Sequence, residues 1–513
     1  MSAKELDSRL KALSPAERAR LAQKLSARSG PNTALKIPIV DRSSPLPASF
    51  AQSRLWFLDQ LEPGSATYNY PIVLRLSGVL DVAALESALR ELLARHEALR
   101  TTFVEKDGEP HQVVHASIDL DITRIDVASE EEAEPLISRA THMPFDLATG
   151  PLLRATLLRM RGDAHVLVLC IHHIATDGWS AGILLREMSA LYAAFHDGRP
   201  SPLSALPCGY ADFSVWQRTR LAGDVLDGQV TFWRDHLAGA PAALELPTDR
   251  PRPAVKQYRG DMVKLRVPRE LASRVQELCR REGVTPFIVL LTAFQTVLSR
   301  WSGQDDIVVG TPMANRTHRE LEDLVGFFVN TLALRTSFTG DPSFVDVLRQ
   351  VKRSSFAAQG HQDIPFEKLV DELRVPRDAS RTPIFQAKFV LQNAASGALT
   401  LGDVAITSKP SLFEISKVDL SLFLSGGADE LHGFLQYDIA LFDRSTIERF
   451  AKHFLVLLDA ALRTPEARVA TLPLMTDEER LALGAWNARD RPVHGAAVPT
   501  LVEAQVDRTP DAI

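Results

Sequence analysis

Two hydrophobic rhythms run along this chain. Short unbroken apolar runs predict buried strands, and longer stretches with apolar residues every three or four positions predict helices with one buried face. The two meet most sharply after residues 165–171 (HVLVLCI), a run that predicts a buried strand. Nine residues follow, His172-His173-Ile174-Ala175-Thr176-Asp177-Gly178-Trp179-Ser180, and then an apolar helical pattern from Ala181 to about Phe195. Two histidines therefore stand at a strand end, and an Asp-Gly pair opens a helix.

The remaining elements fall on either side. Residues 1–26 read as a pair of helices, with a capping box at Ser14-Pro15-Ala16-Glu17 and a narrow leucine stripe. Residues 29–47 are polar and proline-bearing, a linker. A strand is expected over 71–77, and a helix after Asp81 with Leu85, Leu89, Leu92 and Leu93 on one face. Residues 99–104 and 111–115 flank Asp107-Gly108 as a hairpin. A helix over 129–142 and a second hairpin, 152–160 with 165–171, lead into the histidine pair. Tyr210 opens a helix, and 240–256 form an extended proline-rich connector. A second alternation of strands (260–267, 306–311, 329–338, 385–392) and helices (269–282, 285–300, 343–360, 366–373) begins there, closing with a hairpin (419–425, 431–438) and a helix over 445–462. The pattern predicts two lobes of similar α/β build, without a repeat of fixed period. Residues 475–486 read as a short charged helix, and 501–513 as the opening of another domain, so the chain reads as a piece of a longer one.

Composition narrows the class. The 513 residues are 45% hydrophobic and 24% charged, as in ordinary globular protein, and suffice for about three domains. Net charge is −6 with both signs interspersed, which argues against a nucleic-acid partner. Cys170, Cys208 and Cys279 are odd in number and far apart, so neither a disulfide framework nor a metal-binding pair is expected. No signal-peptide core is present, and no apolar run approaches the roughly 20 residues of a membrane span. The expectation is a cytoplasmic protein, monomeric, with no metal.

His173 is the leading candidate for chemistry, because imidazole exchanges a proton near neutrality. His172 is secondary and structural. Asp177 is expected to orient the loop through an ion pair with an arginine, Arg316 being the first choice and Arg100 the second. Gly178 would allow close backbone packing. Trp179, Ser180, Asn330, Tyr210 and Trp216 would line or brace the site. Arg54, Gln362 and Asp363 would brace the lobes. For an arbitrary HxxxD, two structural histidines and a helix-capping Asp would explain everything; the full HHxxxDG at a strand-loop-helix junction is more specific.

With these residues in place the chain resembles the condensation domains of nonribosomal peptide synthetases. The match runs in order from Ser49 to about residue 470. It takes in 49–58, then Arg95-His96-Glu97-Ala98-Leu99-Arg100-Thr101-Thr102-Phe103, then 172–180, and then 210–216. Val325-Gly326-Phe327-Phe328-Val329-Asn330-Thr331, His361-Gln362-Asp363-Ile364-Pro365-Phe366-Glu367 and Arg377-Asp378-Ala379-Ser380-Arg381-Thr382-Pro383 complete it. The resemblance implies an α/β fold of two chloramphenicol-acetyltransferase-like lobes in a V-shaped pseudodimer with a central tunnel. It implies these boundaries: helical extension and linker 1–47, first lobe 48–225, second lobe 226–472, linker 473–499, and the start of an adenylation domain at 500–513.

The implied reaction moves a donor acyl or peptidyl thioester to the amine of an aminoacyl thioester. His173 would take the amine proton, or orient the amine and stabilise the intermediate. No cofactor would be tightly bound; phosphopantetheine arms of carrier proteins, or CoA, would carry the substrates. The partners would be a downstream peptidyl carrier, the adjoining adenylation domain, and acyl-CoA or an upstream carrier as donor. No carrier motif precedes the domain, so the donor is expected in trans. The helical extension fits either a lipid-initiating starter domain or docking to an upstream synthetase, and the starter role is slightly preferred because docking needs a further protein. Competing readings are another HHxxxDG acyltransferase with an alcohol acceptor and a non-catalytic docking domain of the same fold. A cyclisation domain would carry aspartates in place of the histidines, and an epimerisation domain would lack the adenylation-like sequel.

Overall fold

The computed structural model describes residues 36–511 apart from 121, 377, 393–399, 409–414, 427–429 and 488–496. The helix pair expected over 1–26 and Arg377 lie outside the described residues.

The first half of the chain runs α1 (Phe50–Leu61), β1 (Asn69–Ser77), α2 (Val82–Arg95), β2 (Thr101–Lys106), β3 (Glu109–Val114), β4 (Ile122–Asp126), α3 (Glu130–His142), β5 (Leu153–Arg159), β6 (Ala164–His172), α4 (Gly178–His196), α5 (Tyr210–Arg220) and α6 (Gly223–Leu237). Local signals explain the starts: Ser49 and Gln52 form a capping box at α1, and Asp81 accepts from the Ala84 N–H at α2. Strand β6 is apolar throughout because both its faces are covered. Leu167, Leu169 and Ile171 pack in the core with α2 and α4, whereas Val166 and Val168 pack with Ala133 and Ile137 of α3.

The second half runs β7 (Gly260–Val267), α7 (Arg269–Glu282), α8 (Pro286–Ser302), β8 (Asp306–Met313), β9 (Asn330–Ser337), α9 (Phe344–Gln359), α10 (Phe366–Glu372), β10 (Ala387–Gln392), β11 (Thr400–Leu401), β12 (Val404–Ser408), β13 (Leu420–Gly426), β14 (Leu431–Asp438), α11 (Arg444–Arg463), α12 (Asp477–Asn487) and α13 (Val498–Arg508). Helix α8 is buried from Ile288 to Ser299, and its polar members are satisfied. The Thr292 hydroxyl donates to the Ile288 carbonyl at 2.7 Å, and Gln295 Nε2 donates to the Leu334 carbonyl at 2.9 Å. Among the described residues no single helix is long and apolar enough to cross a membrane.

Each lobe is built on a six-stranded mixed sheet, β11-β12-β1-β6-β5-β4 in the first and β9-β8-β10-β13-β14-β7 in the second. The two lobes exchange chain. Strands β11 and β12 belong by sequence to the second half, yet β12 pairs antiparallel with β1, Ala405 opposite Ser77 and Ile406 opposite Leu76. Leu401 and Val404 are buried in the first core. The β8–β9 loop also crosses: Val325 and Phe327 enter the first core, while Leu321, Leu324 and Phe328 pack with Tyr210 and Phe213. Neither crossing is legible in the sequence, nor are β4 and α6. Residues 36–47, read as linker, are pinned to the body: Ile37 N–H donates to Glu320 at 3.1 Å, and the Arg42 guanidinium bridges Glu97 and Asp212 at 2.9 and 2.6 Å.

Candidate active site

Strand β6 ends at His172, and His173 opens the single helical turn His173–Ala175. The backbone N–H of His173 donates to the Tyr68 carbonyl at 2.7 Å, which fixes where the strand stops. Its ring is held by Nδ1, 2.7 Å from the Thr176 carbonyl. A carbonyl only accepts, so Nδ1 carries the hydrogen and Nε2 keeps its lone pair. Tyr70 and Phe327 flank the ring edge-on, with centroids 5.5 and 4.9 Å away. Burial, and next the positive charge of Lys417, push His173 down to about pKa 3. It is neutral at pH 7. His173 as a whole residue is half-buried.

His172 is buried. Its Nδ1 accepts the Ile174 N–H at 3.2 Å, and its ring meets Phe145 edge-on at 5.9 Å. Burial, then Lys417, also takes it down to about 3.

Asp177 caps α4 and joins the lobes. Its Oδ1 accepts the Ser180 N–H at 2.8 Å, and its Oδ2 accepts the N–H groups of Phe328 and Val329 at 3.0 and 3.2 Å. The buried Arg316 guanidinium lies 3.5 Å from Oδ1. Arg316 also donates to Ser180 Oγ at 2.8 Å and to the carbonyls of Leu321 and Leu324. It stands in the loop three residues beyond β8, whose strand runs on to Met313. Arg100, the second choice as partner, donates instead to the carbonyls of His115 and Ala94, on the hairpin side of the first lobe.

The bracing candidates divide in two. Tyr210 is buried, its hydroxyl donating to the Phe327 carbonyl at 2.6 Å and meeting Ser49 Oγ at 2.9 Å. Asn330 spends its whole amide on backbone: Nδ2 donates to Gln362 and Ile364, and Oδ1 accepts from Thr331 and Phe366. Tyr210 thereby holds the backbone at Phe327, whose ring flanks His173, and Asn330 holds that of residues 362–364. Trp216 stacks edge-on with His318 at 4.8 Å and lies apart from His173. Trp179 is half exposed, its Nε1 donating to the Glu322 carbonyl at 2.9 Å. Gly178 departs from expectation: a Cβ there would lie 3.7 Å from the Tyr70 hydroxyl, an ordinary contact, so close packing does not require the glycine. Arg54 of α1 pairs with Glu367 of α10 across the lobes, and Gln362 contributes its carbonyl to Asn330. Asp363 is half-buried near Trp216, in the groove with Asn315.

Sequence reasoning missed Tyr68, Tyr70, Thr176, Phe327, Lys388 and Lys417. Lys388 left a signal, a lone cation inside an apolar strand (AKFVLQ); Lys417 left none. Among the described residues no group of three or more His, Cys, Asp or Glu is placed to hold a metal ion.

A neutral imidazole whose Nε2 keeps its lone pair can accept a hydrogen bond from an incoming N–H or O–H group. Comparison with known proteins names the class. The family model of the condensation domain matches residues 43–483, and the chain belongs to the condensation domains of nonribosomal peptide synthetases, acyltransferases that form amide bonds. It is 43% identical over 503 residues to one of the linear gramicidin synthase proteins of Brevibacillus parabrevis, covering 95% of this chain and 10% of that protein. Malpinin synthetase of Mortierella alpina is 43% identical over 488 residues, 94% of this chain and 6% of the synthetase. The chain thus spans about a tenth or less of these relatives. Among solved structures, the X-domain from teicoplanin biosynthesis superimposes with a TM-score of 0.78 at 30% identity, over 86% of this chain and 100% of the other. A four-domain nonribosomal peptide synthetase shares the fold at 24% identity and a TM-score of 0.77, over 85% of this chain and 34% of the other.

Proposed function

We propose that this chain joins a donor acyl or peptidyl thioester to the amine of an aminoacyl group held on a downstream carrier protein. The C–N bond forms at the thioester carbonyl, the C–S bond breaks, and the amine proton ends on the departing thiolate. The observation that carries this reading is the 2.7 Å bond from His173 Nδ1 to the Thr176 carbonyl, which leaves Nε2 an acceptor for the incoming N–H. A base of pKa about 3 cannot hold a proton for long at pH 7. His173 therefore acts chiefly by orienting the amine and accepting its hydrogen bond, and the proton passes on to the thiolate as the tetrahedral intermediate collapses. Asp177 and Arg316 are positioning residues. They hold the start of α4 against the β8–β9 loop and so set the ring between Tyr70 and Phe327.

The donor arrives either as an acyl-CoA, as in a starter domain, or on an upstream carrier. Residues 473–499 serve as a linker, and 500–513 begin an adenylation domain. The three cysteines are free and buried, which suits a reducing cytoplasm.

The test supplies purified chain with a loaded acceptor carrier and, separately, a peptidyl carrier or a medium- to long-chain acyl-CoA. Mass spectrometry reads the acceptor arm. Amide on the acceptor from either donor supports the reading, and which donor works assigns the subclass. A second reading, a docking domain, draws on the teicoplanin X-domain, solved also as a complex with OxyB. No amide from either donor, with carriers bound, would favour it.

A further inference from the structure

Three cations come close enough to one another, from both lobes, to repel. Lys388 lies on β10 between Gly310 and Ser421 of the neighbouring strands. Its neighbours Ala387 and Phe389 point into the second core, so Lys388 projects from the opposite face of the sheet, toward the first lobe. Lys417 stands just before β13, its Nζ 4.4 Å from the centroid of the Tyr68 ring. The backbone carbonyl of Tyr68 is the one that holds His173. Arg54 reaches in from α1. Both lysines are half-buried, among protein on most sides. Their ordinary proton affinity is eroded: burial, then Arg54, takes Lys388 down to about 8, and burial, then Lys388 and Arg54, takes Lys417 down to about 7.

The nearby acids do not balance this charge. Glu367 is paired with Arg54, and Glu62 is exposed at the end of α1. Among the described residues neither Lys388 nor Lys417 has a carboxylate or a hydrogen-bonding partner. Enclosed cations without counter-charges among the described residues cost a fold stability, and at His173 the charge of Lys417 only adds to a lowering that burial causes first.

We propose that Arg54, Lys388 and Lys417 form a subsite for a carboxylate borne by one of the two substrates, so that the chain selects an acidic aminoacyl or acyl group. This rests on the amide-forming reading above. The carboxylate supplies the missing counter-charge and accepts charge-assisted hydrogen bonds from both ammonium groups. Because it restores their proton affinity, its binding draws protons from solution near pH 8, where Lys417 and Lys388 are partly neutral before it binds.

The test compares substrates that differ only in charge, as N-acetylcysteamine thioesters. Glutamyl and glutaminyl acceptors are offered with a neutral donor; N-acylglutamyl and N-acylglutaminyl donors are then offered with a glycyl acceptor. One arm is expected to favour the acid over the amide by about 10- to 100-fold in kcat/KM, and that arm identifies which substrate carries the carboxylate. Lys388→Met/Lys417→Met is expected to abolish the preference, keep turnover of neutral substrates, and melt at or above the wild-type temperature. A purely structural pair would lower melting instead. Calorimetry at pH 8 in two buffers of different ionisation enthalpy is expected to show proton uptake with the acidic thioester alone. Equal binding of acid and amide in both arms overturns the subsite whether or not amide forms. A preference that survives the double variant, or a variant that loses neutral substrates too, also overturns it. Failure of every pair to form amide overturns the functional reading separately.

Discussion

Ser180 and Gly326 are joined by two hydrogen bonds across the lobes: Ser180 Oγ donates to the Gly326 carbonyl at 2.9 Å and accepts the Gly326 N–H at 3.1 Å. Ser180 lies one turn into α4, and Gly326 lies in the loop between β8 and β9. Their contact stitches the helix that follows the two histidines to a segment nearly 150 residues later. The glycine is required there, since a Cβ would fall 1.9 Å from the Tyr210 ring.

Gly326→Ala is therefore expected to destabilise the protein by about 1–3 kcal/mol through overpacking. Thermal melting checks it, and in the double variant with Tyr210→Ala the combined loss should be smaller than the sum of the two single losses, because the clash is removed. A variant that melts like wild type would show that the loop yields freely.

His173→Ala is expected to lower amide formation by about 10²–10⁴-fold while leaving the melting temperature close to wild type. Only one side-chain hydrogen bond, to the Thr176 carbonyl, is lost. Near-normal rates with soluble protein would remove His173 from the reaction.

Asp177→Asn keeps the shape but removes the charge facing Arg316. Both side chains are buried, so the cost is expected to be roughly 3–5 kcal/mol of stability. Activity per folded molecule should fall less than in His173→Ala. Wild-type melting with lost turnover would instead give Asp177 a direct part in proton transfer.

Stability should depend on pH in two windows. His172 and His173 titrate near 3 when folded, against 6.5 for an ordinary histidine. Between these values the unfolded chain binds more protons, so stability is full above 6.5 and is lost as pH falls toward 3. Lys417, lowered to about 7 from 10.5, leaves the unfolded chain with the extra proton between those values, so its contribution rises with pH there. Melting curves from pH 4 to 9 check both. His172→Gln/His173→Gln should flatten the acid slope, and an unchanged slope in that variant would assign it to other groups. The rate should likewise show no loss near pH 6.5, since His173 stays neutral well below it.

Much of this protein is written locally. The unbroken apolar run of β6, the capping signals before α1 and α2, the hairpin at Asp107-Gly108 and the strand-loop-helix around His173 each depend on neighbours a few residues apart. Side-chain period and backbone capping act over that range. Asp177 as a helix cap was legible for the same reason, whereas its ion pair with Arg316 joins segments far apart in the chain. What tertiary structure alone decided are the meetings of distant segments. The pairing of β12 with β1, the passage of Val325 and Phe327 into the first core, and the gathering of Arg54, Lys388 and Lys417 beside Tyr68 depend on how two sheets face one another. Apolar burial is non-directional and records only that a residue is inside, not against what. The polar residues that meet between the lobes therefore have no signature in periodicity and read, one at a time, as ordinary surface.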